Sequence, residues 1–247
     1  MYLSDELYLA YKIGNTEVST FPFPHMYINN VFPNSLYLAM QENMPLSENM
    51  SPVHEKRPVP PLAYKERFVF NFDDETLNSL NEQQKKFWTI FKNSMLSGKL
   101  KNFILSKFSF IINQRFPDTS NIDFHDELLL INDYANFKLG PHTDSPSKVI
   151  SFLFYLPKDE TQESLGTSIY FPKDLSFTCE GGPHYDRKNF EKVITMPFVP
   201  NSLFCFVKTN NSFHGVEQIE TNEKRCLLLY DIFHKVKTPS EPNKFSF

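Results

Sequence analysis

The segment LGPHTD (139–144) carries the residues whose types and spacing are best suited to chemistry. In an extended chain, side chains two residues apart point to the same face, so His142 and Asp144 would project together. One imidazole and one carboxylate are two of the three ligands in a metal site of the two-histidine, one-carboxylate type. The third ligand must come from elsewhere, and the best candidate is His214 in the segment NSFHGV (211–216).

The spacing His-x-Asp is a weak signal by itself, and this sequence contains it twice. The second copy, at 184–186, follows GGP and precedes RKN, with no apolar strand behind it. We interpret that copy as part of a loop. The first copy leads into the apolar run KVISFLFY (148–155), which is typical of a strand that could hold a site in place.

Arg225 stands at the head of another apolar run, CLLLY (226–230). Burying a guanidinium there would cost several kcal/mol unless an anion faces it. A carboxylate is the matching partner, because a guanidinium donates two parallel hydrogen bonds to its two oxygens. We therefore predict that Arg225 points inward toward a carboxylate, with Lys148 as the next basic candidate for that role.

Residues 142–144, His214 and Arg225 together resemble the motif set of the 2-oxoglutarate- and Fe(II)-dependent oxygenase superfamily, over roughly residues 125–235. Members of this superfamily carry a His-x-Asp…His triad and a basic residue shortly after the distal histidine. The motif set is specific when taken jointly and weak when its parts are taken singly.

The prolyl-4-hydroxylase-like branch is the most similar part of the superfamily. Tyr134 stands where that branch has a tyrosine before the His-x-Asp motif, and GTSIY (166–170) matches its Gly-Thr strand. Two departures are present: Leu227 replaces the serine of plant-type members, and prolyl hydroxylases often use lysine where Arg225 stands. The resemblance therefore supports the cosubstrate pocket and leaves the substrate open.

The resemblance implies the following site. Fe(II) is held by His142, Asp144 and His214, which are then also the catalytic residues. The cosubstrate 2-oxoglutarate is anchored by Arg225, with a hydroxyl from Tyr134, and O2 is the second cosubstrate, with ascorbate as a candidate reductant. The implied reaction is hydroxylation of a small-molecule or peptidyl substrate with release of succinate and CO2.

Two other functions stay open. A cupin-like protein of the same fold could hold a metal such as zinc without catalysis, and nucleic-acid demethylases belong to the same superfamily. The net charge of −4, from 25 basic and 29 acidic side chains, counts against a nucleic-acid partner, because such proteins usually carry a basic excess. The sequence carries no readable signal for an oligomeric state.

The chain is expected to be a cytoplasmic protein with no membrane segment. No stretch approaches the ~18 apolar residues of a membrane span, and MYLSDE at the start has acids where a signal peptide is basic. Three cysteines without a CxxC pair suit a reducing compartment. We expect Cys205 and Cys226 to be core residues because both lie in apolar runs.

The composition is that of an ordinary globular chain, with 247 residues, 40% hydrophobic and 22% charged. After Pro117, short runs rich in aromatic and branched residues alternate with turn residues, a pattern typical of an antiparallel sandwich or barrel. Together with the resemblance, it predicts a mainly β fold with helices, built on a double-stranded β-helix (jelly-roll, cupin-like) core. The predicted strands cover 127–134, 148–156, 166–171, 192–198, 202–208, 213–219 and 225–233.

We expect residues 1–247 to form a single domain, with a helical N-terminal region (1–120) packed on one sheet, the β core (121–235) and a polar tail (236–247). In the N-terminal region, 21–45 is a strand followed by a helix, 46–67 is a surface excursion, and helices cover 74–96 and 98–114. The segment 172–191 has no helical period, and loops of ~20 residues in compact domains are usually functional or disordered. We predict that it covers the active-site mouth and shapes the choice of substrate.

Overall fold

The computed structural model describes residues 3–220 and 224–237, so most of the predicted tail lies outside the described residues. Within these ranges the chain forms seven α-helices and eleven β-strands. The helices are α1 (Leu3–Asn15), α2 (Asn34–Glu42), α3 (Val53–Lys56), α4 (Asp74–Asn78), α5 (Glu82–Met95), α6 (Lys99–Lys107) and α7 (Ser109–Arg115). The strands are β1 (His25–Asn29), β2 (Ser51–Pro52), β3 (Arg67–Asn71), β4 (Ile122–Asp133), β5 (Leu139–His142), β6 (Lys148–Tyr155), β7 (Thr167–Pro172), β8 (Phe190–Thr195), β9 (Ser202–Val207), β10 (His214–Val216) and β11 (Arg225–Val236).

The strands form two antiparallel sheets. The large sheet has the order β1-β9-β6-β11-β4-β3-β2, and the small sheet has the order β5-β10-β7-β8. The eight strands from β4 to β11 divide equally between the sheets, which is the jelly-roll arrangement of two facing four-stranded layers. The predicted double-stranded β-helix is confirmed, and each of the seven predicted strands is present with shifted bounds.

The strand β5, which carries His142, was not among the predicted strands. Its residues include Gly140 and Pro141, which have low strand propensity, so local composition hides it. Proline is tolerated because β5 lies at an edge of the small sheet, where a missing N–H leaves no ladder bond unmade. The N-terminal region also differs from expectation. The strand β2 lies inside the predicted surface excursion (46–67) and β3 begins at its last residue, and both strands extend the large sheet.

Each long predicted helix is divided in two. The predicted helix 74–96 becomes α4 and α5, because Asp73 and Asn81 each cap a helix start. The Asp73 carboxylate accepts the Thr76 backbone N–H at 2.8 Å, and the Asn81 amide oxygen accepts that of Gln84 at 2.9 Å. The predicted helix 98–114 becomes α6 and α7, which meet at Phe108.

The helices cover one face of the large sheet, as predicted. A continuous apolar cluster joins Trp88 and Phe91 of α5 and Ile104 of α6 to Phe152 and Tyr230 of the sheet. Cys205 and Cys226 belong to this core, and all three cysteines are buried and free. A second cluster fills the space between the two sheets and leads to the site described below.

No helix within the described ranges combines the length and apolar character needed to cross a membrane.

Replacing Trp88 with Phe tests the anchoring of α5. Trp88 is 0% exposed, and its indole N–H donates to the backbone carbonyl of Asn43 at 2.6 Å. The variant leaves that carbonyl without its partner, so we expect the free energy of unfolding to fall by about 1–3 kcal/mol. In a urea titration, Phe110→Ala is the control, because Phe110 is 78% exposed and should change stability by less than about 0.5 kcal/mol. Equal effects of the two variants would contradict this role of Trp88.

Candidate metal centre

The strand register brings the two predicted histidine ligands together. His142 at the end of β5 lies directly opposite His214 at the start of β10 in the antiparallel ladder. Residues that face each other across such a ladder project from the same side of the sheet. The two imidazole rings therefore lie side by side, with centroids 4.4 Å apart.

Each histidine is held in the orientation and tautomer that a metal ligand requires. The Nδ1 of His142 is 2.9 Å from the Gly140 carbonyl oxygen, and the Nδ1 of His214 is 3.0 Å from that of Ser212. A carbonyl can only accept, so Nδ1 carries the proton and Nε2 keeps its lone pair for a metal. Burial lowers the pKa of both imidazoles, so the neutral form is favoured.

Asp144 follows β5 and completes the group. One carboxylate oxygen, Oδ1, lies 3.8 Å from Nε2 of His214, and the candidate ligand atoms of His142, Asp144 and His214 all lie within 4.8 Å of one another. The other oxygen, Oδ2, accepts the Ser151 hydroxyl at 3.1 Å. Burial alone would raise the pKa of Asp144, but Lys148 and the two histidines hold it well below its usual range. The carboxylate is therefore ionised, with Oδ1 directed at the histidines.

Lys148 forms a buried ion-pair network beneath the group. Its ammonium lies 3.4 Å from Oδ2 of Asp144 and 2.8 Å from Oδ2 of Asp231. These two carboxylates raise its pKa despite the burial that would lower it. Burial raises the pKa of Asp231, whose second oxygen is buried without a hydrogen-bond partner. Lys148 was the alternative candidate for binding a ligand carboxylate, but in the structure its ammonium pairs with Asp144 and Asp231.

The group opens into a cavity of about 190 Å³ between the two sheets. One end carries the two histidines and Asp144, and the opposite end carries basic groups and the start of β11. The lining residues are Tyr64, Arg67, Ile131, Leu139, His142, Asp144, Lys148, Ser151, Leu153, Thr167, Phe206, His214, Val216, Arg225, Leu227 and Leu229.

Arg225 points inward, as predicted, and the structure shows a carboxylate that sequence reasoning missed. Its Nη1 donates to Oδ2 of Asp133 at 2.8 Å, its Nη2 to the Thr167 hydroxyl at 3.1 Å, and its Nε to the Leu165 carbonyl at 2.6 Å. Asp133 lies directly across from Arg225 in the β4–β11 ladder.

Arg67 is a second arginine at this end of the cavity, and it was not identified from the sequence. It lies across from Asp133 on the opposite side, in the β3–β4 ladder. Its Nε and Nη2 donate to the two carboxylate oxygens of Asp133 at 2.6 and 2.9 Å. Two guanidinium groups therefore flank one carboxylate across three adjacent strands, which leaves one positive charge in excess. The only sequence signal was the charge of Asp133 at the end of an apolar run.

Tyr134 is not brought to the cavity. The chain leaves β4 after Asp133, and the Tyr134 hydroxyl lies 3.1 Å from that of Ser47 while its ring packs edge-on against Phe68. The tyrosine that does line the cavity is Tyr64. A hydroxyl contact from Tyr134 to a cosubstrate has no support in this geometry.

The segment 173–189, here called the covering segment, lies over the metal-binding group. The ring of His184 packs against that of His142, with centroids 4.4 Å apart, and its Nε2 lies 3.1 Å from the Tyr64 hydroxyl. The Tyr185 backbone N–H donates to the Pro141 carbonyl of β5 at 2.9 Å. At Gly140 a Cβ would lie 2.5 Å from the Tyr185 carbonyl oxygen, so the glycine permits this close approach. The second His-x-Asp copy is thus in a loop, as predicted, but its histidine contacts the site.

The described residues therefore present two neutral imidazoles and one carboxylate at one end of a cavity between the two sheets. This donor set leaves adjacent coordination positions open and is typical of non-haem Fe(II) oxygenases. The cationic end of the cavity fits the distal carboxylate of a dicarboxylate ligand.

No protein-family model matches this sequence. No curated protein matches it either. Several solved structures do resemble it. One is a prolyl hydroxylase from Trichoplax adhaerens in complex with a peptide fragment of the hypoxia-inducible-factor oxygen degradation domain. The TM-score is 0.51 at 14% sequence identity, and the alignment covers 92% of this chain and 88% of that chain. The non-haem α-ketoglutarate-dependent epimerase SnoN from nogalamycin biosynthesis gives 0.52 at 10% identity over 97% and 88%. The chain thus has the double-stranded β-helix fold of the 2-oxoglutarate-dependent oxygenases.

Proposed function

We propose that the protein is an Fe(II)- and 2-oxoglutarate-dependent dioxygenase that hydroxylates a small-molecule or peptidyl substrate. The observation that carries the proposal is the convergence of His142, Asp144 and His214 within 4.8 Å at one end of a cavity whose other end has excess positive charge. The fold shared with a peptide-bound prolyl hydroxylase and a small-molecule epimerase supports both substrate classes.

Each member of the triad has a defined task. His142 and His214 offer Nε2 to iron because their Nδ1 atoms are bound to backbone carbonyls. Asp144 offers Oδ1 because Ser151 and Lys148 occupy Oδ2. When bound, Fe(II) with 2-oxoglutarate and O2 supplies oxidative decarboxylation to succinate and CO2, coupled to oxidation of the substrate.

The remaining groups bind and shield the reactants. The arginines around Asp133 attract the distal carboxylate of 2-oxoglutarate, since the cluster holds one uncompensated positive charge. Apolar side chains such as Leu227 and Leu229 exclude water from the middle of the cavity. The covering segment supplies His184 beside the metal-binding group and is a candidate for substrate choice. The proposal includes ascorbate as the reductant. It also includes a cytoplasmic location, which the free cysteines support because disulfides are rare in reducing compartments.

The metal site is tested by removing one ligand at a time. We expect His142→Ala, Asp144→Ala or His214→Ala to weaken anaerobic Fe(II) binding by more than about 100-fold, because even groups that merely orient ligands are typically worth 10–100-fold. His184→Ala is the matched control: it removes an imidazole that touches His142 but lies outside the triad, so affinity should stay within about threefold. Loss of metal in His184→Ala with retention in His142→Ala would assign the site to the second His-x-Asp copy.

The activity is tested by oxygen-dependent release of succinate from 2-oxoglutarate with Fe(II), screened against metabolites and peptides for stimulation. We expect the wild type to release succinate and Asp144→Ala to be folded and inactive. Metal binding without turnover across the screen would favour the cupin-like metal-binding alternative. Salt-dependent binding to nucleic acid would favour the demethylase, which the net charge of −4 disfavours.

Shortening the covering segment tests its part in substrate choice. It contacts the rim of the metal site through His184 and Tyr185, and within the described residues the hydrogen bonds of Arg67 and Arg225 go to other parts of the chain. We expect substrate-coupled turnover to change much more than 2-oxoglutarate affinity, with each measured in the same preparation. Similar losses in both quantities would count against a substrate-shaping lid.

A further inference from the structure

The two arginines that share Asp133 differ in what they leave available to a ligand. Both lie beside Asp133 in register, one on each neighbouring strand. Their contacts to protein acceptors and their accessibility nevertheless separate them into a closed and an open guanidinium.

Arg225 is the closed one. Its side chain is 1% exposed, and each of its three nitrogens donates to a protein acceptor: Asp133, Thr167 and the Leu165 carbonyl. These acceptors come from two segments, the end of β4 and the stretch 165–167 at the start of β7, which together fix the guanidinium plane. Arg225 is thereby placed to hold the Asp133 carboxylate and to link β11 to the small sheet through Thr167.

Arg67 is the open one. Its Nε and Nη2 donate as a fork to Asp133, and within the described residues Nη1 has no protein acceptor. Both arginines line the cavity, but the Arg67 side chain is 15% exposed whereas that of Arg225 is 1% exposed. The guanidinium carbon lies 4.4 Å from the ring centre of Phe137, which supports one face of the group. The uncompensated charge of the cluster therefore has an accessible donor on Arg67.

We propose that Arg67, rather than Arg225, donates directly to the distal carboxylate of 2-oxoglutarate, and that Arg225 is a positioning residue that acts through Asp133. This inference rests on the proposed function and deepens it. It makes β3, a strand of the N-terminal region outside the jelly-roll core, the source of the residue that selects a dicarboxylate. Asp133 is then the element that both orients Arg67 and keeps the cluster at one excess charge.

The test compares 2-oxoglutarate with its C5 amide, in which the distal carboxylate is replaced by an uncharged group of similar shape. Affinities are measured by anaerobic calorimetry on protein loaded with Mn(II), which gives a binding readout without turnover. We expect the wild type to prefer the acid by about 30- to 4,000-fold, the usual range for losing one partner of a buried charge pair. Arg67→Gln should reduce that preference to within about threefold while leaving Mn(II) affinity unchanged.

Matched variants separate direct contact from positioning. Arg225→Gln should retain most of the preference for the acid while lowering thermal stability, because it unties Asp133 from β11 and the small sheet. Arg57→Gln is the arginine control, since Arg57 pairs with Glu127 outside the cavity, and it should behave as the wild type. If Arg67→Gln fails to fold, Arg67→Lys keeps the charge without the fork and should give an intermediate preference.

The opposite pattern overturns the inference. An Arg67 variant that keeps the full preference for the acid, together with an Arg225→Gln protein that loses it, would make Arg225 the direct anchor. Equal loss of acid and amide binding in Arg67→Gln would also refute a direct contact to the distal carboxylate. A metal-loaded wild type that binds neither compound would instead refute the proposed function itself.

Discussion

Asp133 carries a negative charge where no part of its side chain reaches solvent, and arginines from the strands on both sides neutralise it. The arrangement is a row across β3, β4 and β11, so the same contacts that balance the charge also lock the register of three strands. Removing one partner of such a buried pair typically costs about 3–5 kcal/mol. The end of the cavity therefore cannot be rearranged without a large loss of stability, which keeps its donors in place before any ligand arrives.

The cavity is polarised along its length. At one end, Asp144 and Asp231 both pair with the single ammonium of Lys148. With both carboxylates ionised, this end carries one uncompensated negative charge beside the two neutral imidazoles. At the other end two guanidinium groups share one carboxylate. A cation is therefore favoured at the first end and a carboxylate at the second, and leucine side chains line the cavity between the two ends. This preorganisation lowers the cost of ordering the reactants, because the protein groups do not have to turn toward them.

Local patterns predicted the metal-binding group and not the arginine cluster. His142 and Asp144 are close in sequence, and alternation along an extended chain suffices to align them. The pairing of Asp133 with Arg67 depends on the register of β3 against β4, which no local pattern reveals. The interpretation of 46–67 as a surface excursion also hid Arg67. Tyr134 was assigned through the family resemblance, whereas β4 ends at Asp133 and the chain leaves the sheet at Tyr134. The strand β5 was missed because glycine and proline have low strand propensity.

The covering segment has a structural consequence apart from the chemistry. The strand β5 lies at an edge of the small sheet, and an open edge is a template for pairing with another chain. The Tyr185 backbone N–H donates a hydrogen bond to the Pro141 carbonyl, and Nη2 of Arg187 donates to the Leu139 carbonyl at 2.9 Å. Pro141 itself offers no N–H to an incoming strand. The segment that covers the metal-binding group therefore also protects the molecule from edge-to-edge aggregation. Opening it fully would expose both the metal-binding group and an unpaired strand edge.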